Sequence, residues 1–168
     1  MGYILALKLY VVDEAYIEYL WKFEHKVMFN KNQKRPYVGV VYTVNDLNYF
    51  VPLTSPKQKH ETMDKDIDFR KIARGKYGAL NFGNMIPVPA ECLQQIDFSK
   101  LHGTYKDWIL NQYRELKKER ETLRETAEKL YAVYMKPVDE LTPHEQAVKE
   151  RCCDFVLLEK LCKEYQAD

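Results

Sequence analysis

Cysteine pairs at metal-ligand spacing are missing from this chain of 168 residues, and so is any apolar run long enough to cross a membrane. The four cysteines, Cys92, Cys152, Cys153 and Cys162, form no CxxC pair and include two neighbours. That pattern suggests neither a zinc knuckle nor a planned disulfide framework, and it fits a reducing cytoplasm. The opening MGYILALKLYVVDEAY has no basic leader and its apolar run ends at Asp13. No stretch reaches the roughly 20 residues of a spanning helix, so a soluble, unexported, cytoplasmic protein with no membrane partner is expected. An overall excess of positive charge is missing too: the formal net charge is +1, which argues against a generic polyanion binder.

What is present is apolar and aromatic. With 46% hydrophobic residues, 13 Tyr and 7 Phe, the chain can offset its conformational entropy, and its length suits one domain spanning 1–168. Charge is uneven along it. Residues 20–80 hold 12 Lys and Arg against 6 Asp and Glu, leaving 14 against 19 elsewhere. The basic half is the candidate nucleic-acid face, or ordinary variation of surface charge.

The pattern of residues predicts an α+β fold, β-rich over 1–103 and helical over 104–168. YILALKLYVV at 3–12 has strand composition. Tyr16, Ile17, Leu20, Phe23 and Val27 recur at helical spacing, predicting a helix over 14–27 capped by Asp13. Two apolar runs flanking Asn45-Asp46 predict an antiparallel hairpin over 37–54. Residues 56–76 read as a long polar loop with a short helix near DIDFRKI, then two short strands flank Gly83-Asn84. Ile109, Tyr113, Leu116, Leu123, Ala127, Leu130 and Tyr134 predict one helix over 105–135, opened by Thr104 and Asp107 and interrupted in its stripe only at Arg120. Pro137 stops it. Thr142-Pro143-His144-Glu145 then caps a last helix reaching about 165, with Val148, Cys152, Phe155, Leu158 and Cys162 facing inward.

The stretch richest in chemistry is Val51-Pro52-Leu53-Thr54-Ser55-Pro56-Lys57-Gln58-Lys59-His60, where an apolar strand ends in hydroxyls, a proline and two cations. An RNA phosphate there can accept hydrogen bonds from Thr54 and Ser55 while Lys57 stabilises charge on the phosphoryl oxygens. The same residue types also make a Ser-Pro turn with solvated lysines.

Three segments together resemble the ToxN/AbiQ group of type III toxins: KRPYVGVV at 34–41, LTSPK at 53–57 with His60 close behind, and LNFGNMIPVP at 80–89. The resemblance covers essentially residues 3–135. It implies a strongly twisted antiparallel sheet like the MazF/Kid toxin barrel, surrounded by helices. It also implies metal-independent, sequence-selective cleavage of single-stranded RNA to 2′,3′-cyclic phosphate ends, with no cofactor. The partners it implies are target mRNA and an antitoxin RNA of repeated pseudoknots, which the toxin processes and with which it forms a hetero-oligomer; no protein antitoxin is expected. Growth arrest serving abortive infection against phage is the implied outcome.

Carried over residue by residue, Thr54, Ser55 and Lys57 occupy the family's catalytic motif, Ser55 and Lys57 foremost. Arg35 stands where the family has a lysine on the loop before the second strand, with Lys34 beside it and the aromatic Tyr37 two residues on. Tyr16 matches a tyrosine opening the family's first helix, where it either contacts RNA or belongs to the helix's apolar stripe. Lys34, Tyr16, Tyr37, Lys59 and His60 form the expected RNA-contacting set. The general base is either His60, whose unperturbed pKa is near neutrality, or a lysine with its pKa lowered by Lys34 and Arg35. His25, His102 and His144 have no such company in the sequence.

Three other readings compete. Asp64, Asp66 and Asp68 alternate as cation ligands do, but a calcium loop opening at Asp64 needs glycine at its sixth position, where Phe69 stands. A non-catalytic RNA-binding module would use the same basic loops for affinity alone. A structural role would pair the long helix with a partner, against which Arg120 within the stripe argues.

Overall fold

A computed structural model describes residues 7–29, 35–58 and 65–165 of the chain. Lys34, Lys59, His60 and Asp64, and residues 3–6 of the expected first strand, lie outside them. Seven strands are present among the described residues: β1 Lys8–Val12, β2 Tyr37–Val44, β3 Leu47–Thr54, β4 Phe69–Lys71, β5 Ala79–Asn81, β6 Ile86–Pro87 and β7 Leu93–Gln95. Every pairing is antiparallel, in the order β4-β5-β3-β2-β1-β7, with β6 also beside β3. The outer strands β4 and β7 do not pair, so the sheet is open and not the closed barrel expected.

The β2–β3 hairpin turns where the sequence placed it. Asn45 and Asp46 have φ of 52° and 62°. Those are the left-handed conformations that a two-residue hairpin turn requires and that short polar side chains tolerate best. β3 is enclosed on both edges: Tyr49 and Phe50 pair with β6 and Leu53 and Thr54 with β5, while β2 covers the other side. Its last six residues are buried.

Helix α1, Glu14–Phe23, buries Tyr16, Ile17 and Leu20 as its period demands but ends four residues earlier than expected. Phe23 consequently stands 57% exposed at the frayed end, outside the core. The expected short helix near DIDFRKI is strand β4 instead, stabilised by pairing with β5 and not by local periodicity. The long C-terminal helix is two, α2 Gly103–Lys118 and α3 Arg120–Met135, meeting at Glu119. The expected Thr104 cap is absent, since α2 starts one residue before it. The last helix also divides, into α4 Pro143–Arg151 and α5 Phe155–Glu164. Thr142 and Glu145 do form the reciprocal cap of α4, and Asp154 caps α5 anew. Val148, Cys152, Phe155, Leu158 and Cys162 are all buried, so the inward stripe continues across the break.

One buried carboxylate joins these layers. Glu159 of α5 is 8% exposed and accepts from the Tyr49 hydroxyl at 2.7 Å, the Tyr131 hydroxyl at 2.8 Å and the Asn45 amide at 2.9 Å. It therefore ties the hairpin turn, β3 and α3 to the last helix. Removing it leaves three donors facing an apolar hole. Glu159→Ala should lower unfolding free energy by about 3 kcal/mol, measured by urea titration. Val156→Ala, an exposed change on the same helix, should stay within about 0.5 kcal/mol; comparable losses in the two variants would show that the carboxylate is not a hub.

Candidate functional site

The end of β3 divides the expected catalytic residues by exposure. Thr54 is 4% exposed, and its hydroxyl donates to the Ala79 carbonyl at 3.3 Å across the β3–β5 pair. Its hydroxyl proton is thus committed to the sheet, where the expectation had it donating to phosphate. Ser55, Pro56 and Lys57 follow in the open. Lys57, Arg74 and Lys76 line one cleft of about 610 Å³ together with Pro56, Gln58, Ala73 and Gly75.

Arg74 and Lys76 were not singled out from the sequence; the only local sign was the basic, glycine-punctuated ARGKYG. The loop carrying them is tightly wound. Ala73 and Arg74 have φ of 49° and 58°, conformations costing on the order of 1 kcal/mol or more for non-glycine residues. Backbone bonds hold them there, from Gly75 N–H to the Ile72 carbonyl at 3.0 Å and from Lys76 N–H to the Ala73 carbonyl at 3.1 Å. Gly78, at φ 91°, closes the loop directly against the end of β3, where a Cβ would sit 1.8 Å from the Thr54 carbonyl oxygen. Only glycine lets these two backbones approach so closely.

Further cations border Tyr77, the residue that follows Lys76. Tyr77, Asn111, Arg114, Glu115, Lys117 and Lys118 line a second cleft of about 670 Å³. These helix α2 cations lie in the half of the sequence with net negative charge, which hid them.

Arg35 occupies the other side of the strand end. Its Nε donates to the Phe29 carbonyl at 2.8 Å and its Nη1 to the Leu53 carbonyl at 3.0 Å, with 8% of the residue exposed. Burial lowers its pKa, partly opposed by Tyr37. This guanidinium clamps the loop to β3. Tyr16 and Tyr37, expected to contact RNA, are both 0% exposed and present no face to a base. Tyr16 donates to the Pro87 carbonyl at 2.6 Å and so locks α1 onto β6. Tyr37 has a buried hydroxyl with no hydrogen-bond partner. Burial raises the pKa of both hydroxyls. The two tyrosines are core residues, which corrects that expectation.

Asp66 and Asp68 face a guanidinium and not a common cation. Arg151 donates to Asp68 through Nε and Nη2, both at 2.7 Å, and to Asp66 at 2.8 Å, while His144 lies 2.7 Å from Asp66. Burial also disarms the cysteines, pushing the Cys92 thiol up to about 11, Cys152 and Cys153 up to about 12, and raising Cys162. None offers a thiolate near neutral pH.

The family model for Toxin ToxN of type III toxin-antitoxin systems matches residues 8–163. The chain belongs to this family. It is 35% identical to Endoribonuclease ToxN of Bacillus thuringiensis subsp. kurstaki, covering 95% of this chain and 84% of that protein. Two solved type III toxins share the fold. One, from work on selective toxin inhibition by a non-coding RNA pseudoknot, superposes with a TM-score of 0.85 at 31% identity over 98% of this chain and all of the other. The second is AbiQ, a lactococcal anti-phage endoribonuclease, with a TM-score of 0.78 at 30% identity over 95% and 97% of the two chains. The open sheet with its flanking helices is thus the ToxN-family fold.

Two substitutions test this division between core and cleft. Gly78→Ala should cost more than about 1 kcal/mol of stability and reduce RNA cleavage by displacing Thr54-Ser55; wild-type melting and cleavage together would refute the close approach. Tyr37→Phe, which deletes an unpaired buried hydroxyl, should be neutral or up to about 1 kcal/mol stabilising and leave cleavage unchanged. A tenfold fall in its cleavage rate would return Tyr37 to the RNA-contacting set.

Proposed function

We propose that this chain, an endoribonuclease toxin by family, cuts single-stranded RNA without a metal at the exposed end of β3, leaving 2′,3′-cyclic phosphate and 5′-hydroxyl ends. The observation that carries the proposal is one open cleft lined by Lys57, Arg74 and Lys76, with the exposed Ser55 two residues before Lys57 in the chain. In this reading the ribose 2′-oxygen attacks the adjacent phosphorus, its proton passes to His60 or to a lysine, and the bond to the 5′-oxygen breaks. The departing oxygen takes up a proton. Ser55 donates a hydrogen bond to a phosphoryl oxygen, and Lys57 offsets the charge that grows there. Thr54 and Arg35 hold the strand end in place from within. Lys34 and Lys59 lie on the segments that adjoin it in the chain and supply further backbone contacts.

The physiological partner in this reading is a folded antitoxin RNA of repeated pseudoknots, processed by the toxin and assembled with it, which covers the cleft until it is lost. Free toxin then cuts transcripts in the cytoplasm, arresting growth and aborting phage infection. The likeness to a toxin studied for inhibition by an RNA pseudoknot and to an anti-phage endoribonuclease supports this. Among the described residues no helix is long and apolar enough to cross a membrane.

Purified protein incubated with a mixed RNA pool in excess chelator should generate cyclic-phosphate ends. Ser55→Ala and Lys57→Ala should each lower the rate by about 10²-fold or more, the scale of losing one transition-state donor. Undiminished cutting by both variants would move the site elsewhere. RNA retention without new ends would favour a binding module, and activity abolished by chelator would restore the metal reading.

A further inference from the structure

Beside the clamp formed by Arg35 lies a row of aromatic side chains that no part of the catalytic scheme uses. Trp21, on the last turn of α1, stacks on His25 with ring centroids 4.3 Å apart and planes 20° from parallel. Trp21 also meets Phe29 at 5.2 Å and 33°. Phe29 is 58% exposed, and His25 is exposed as well. Scattered exposed aromatics are unremarkable on a protein surface. Here Trp21 touches both of the others, so the three are not scattered. Val27, between His25 and Phe29, is 2% exposed and fixes the segment to the core from behind.

The row is joined to the candidate cutting site by one side chain. The guanidinium of Arg35 donates to the Phe29 carbonyl at 2.8 Å and to the Leu53 carbonyl at 3.0 Å. Leu53 is two residues before Ser55. The Phe29 backbone is therefore held close to the strand end that leads into Ser55. Single-stranded RNA needs a surface for its unstacked bases as well as cations for its phosphates, and an aromatic ring offers a π-face to any base.

We propose that Trp21, His25 and Phe29 form a base-stacking platform that receives an unpaired base next to the scissile phosphate, with Phe29 as the outermost contact. This rests on the ribonuclease reading for the position of the phosphate, but stacking itself requires no cleavage. Phe29 and Trp21 then position substrate without touching the reacting atoms. The platform accepts any base, so it supports affinity and register while other contacts choose the sequence.

The test separates stacking from cutting. In a Trp108→Phe background, Trp21 is the single tryptophan, and its emission is followed during titration with a ten-nucleotide, fully 2′-O-methylated RNA that cannot be cut because its nucleophile is blocked. An abasic oligomer of the same charge is the control. The base-containing oligomer should quench Trp21 and the abasic one should not. Phe29→Ala should weaken binding roughly tenfold, inside the ~5–150-fold range for one base–aromatic stack, and Phe29→Trp should restore it. On cleavable RNA, Phe29→Ala should raise KM with kcat little changed. Equal quenching by both oligomers, or unaltered affinity in Phe29→Ala with wild-type melting, overturns the platform even if the protein cuts RNA. A Phe29-dependent dimer in size measurements without RNA also overturns it, making the row a contact between copies. Base-dependent quenching by a protein that cuts nothing keeps the platform and removes the ribonuclease mechanism.

Discussion

Strand β3 has no free edge, and the arrangement of the whole molecule follows from satisfying it. A buried strand must find partners for every backbone N–H and C=O, because each orphan costs as much as a lost hydrogen bond. β2 supplies them on one side; β6 and then β5 supply them on the other. The handover between β6 and β5 brings the segment 73–78 against Thr54, and it works because Gly78 has no Cβ. The strand's outgoing end is thereby fixed from two directions, by β5 through Thr54 and by Arg35 through the Leu53 carbonyl. Ser55 and Lys57 emerge from a strand that cannot shift register. Pre-positioning of this kind is what lets a few polar groups act on a phosphate without reorganising first.

Buried and exposed members of the motif therefore have different work. Thr54 and Arg35 are chemically suited to a phosphate, yet Thr54 gives its one donor, and Arg35 two of its five, to backbone carbonyls. Tyr16 does the same at Pro87. A side chain nearly enclosed and already bonded acts on a ligand only through what it holds. Ser55 and Lys57 are exposed, whereas Thr54, Arg35 and Tyr16 donate to backbone carbonyls from buried positions. Glu159 extends the same logic to the fold's far side, using three neutral donors to keep a carboxylate away from water between sheet and helices.

Much of this was legible in the sequence wherever local chemistry decides the outcome. Asn45-Asp46 specified the hairpin because few residue pairs tolerate two left-handed positions, and Thr142 with Glu145 specified a helix start because the cap is made within four residues. The Tyr16–Leu20 period marked the buried face of α1. Legibility failed where tertiary partners decide. Phe69–Lys71 forms a strand because β5 is there to pair with, and no alternation across three residues signals that. The helix break after Arg151 was invisible because the apolar stripe keeps its phase through it, while the cause, Arg151 reaching Asp68 and Asp154 starting a new cap, lies in contacts and spacing at once. The motif at 54–57 was found from its residue types, but its division into one buried and one exposed hydroxyl depends on Ala79, 25 residues away.

Net charge along the chain misleads for a related reason. The second half carries the acidic excess, yet Arg114, Lys117 and Lys118 of α2 border the cleft beside Tyr77, continuous in sequence with the loop that lines the Lys57 cleft. Glu115, on the same cleft, pairs with Lys118; other acidic side chains are engaged away from it, Glu119 with Arg70, Glu121 and Glu128 with Arg124, and Glu145 with Lys136. Exposed ion pairs of this kind add little stability individually, but they cancel charge locally, and Arg114 and Lys117 also border the cleft. What a polyanion meets is the local field near the groove, since charges more than a Debye length away are screened. The helical half thus contributes cations beside Tyr77 despite its acidic composition, and only the folded chain brings them to that cleft.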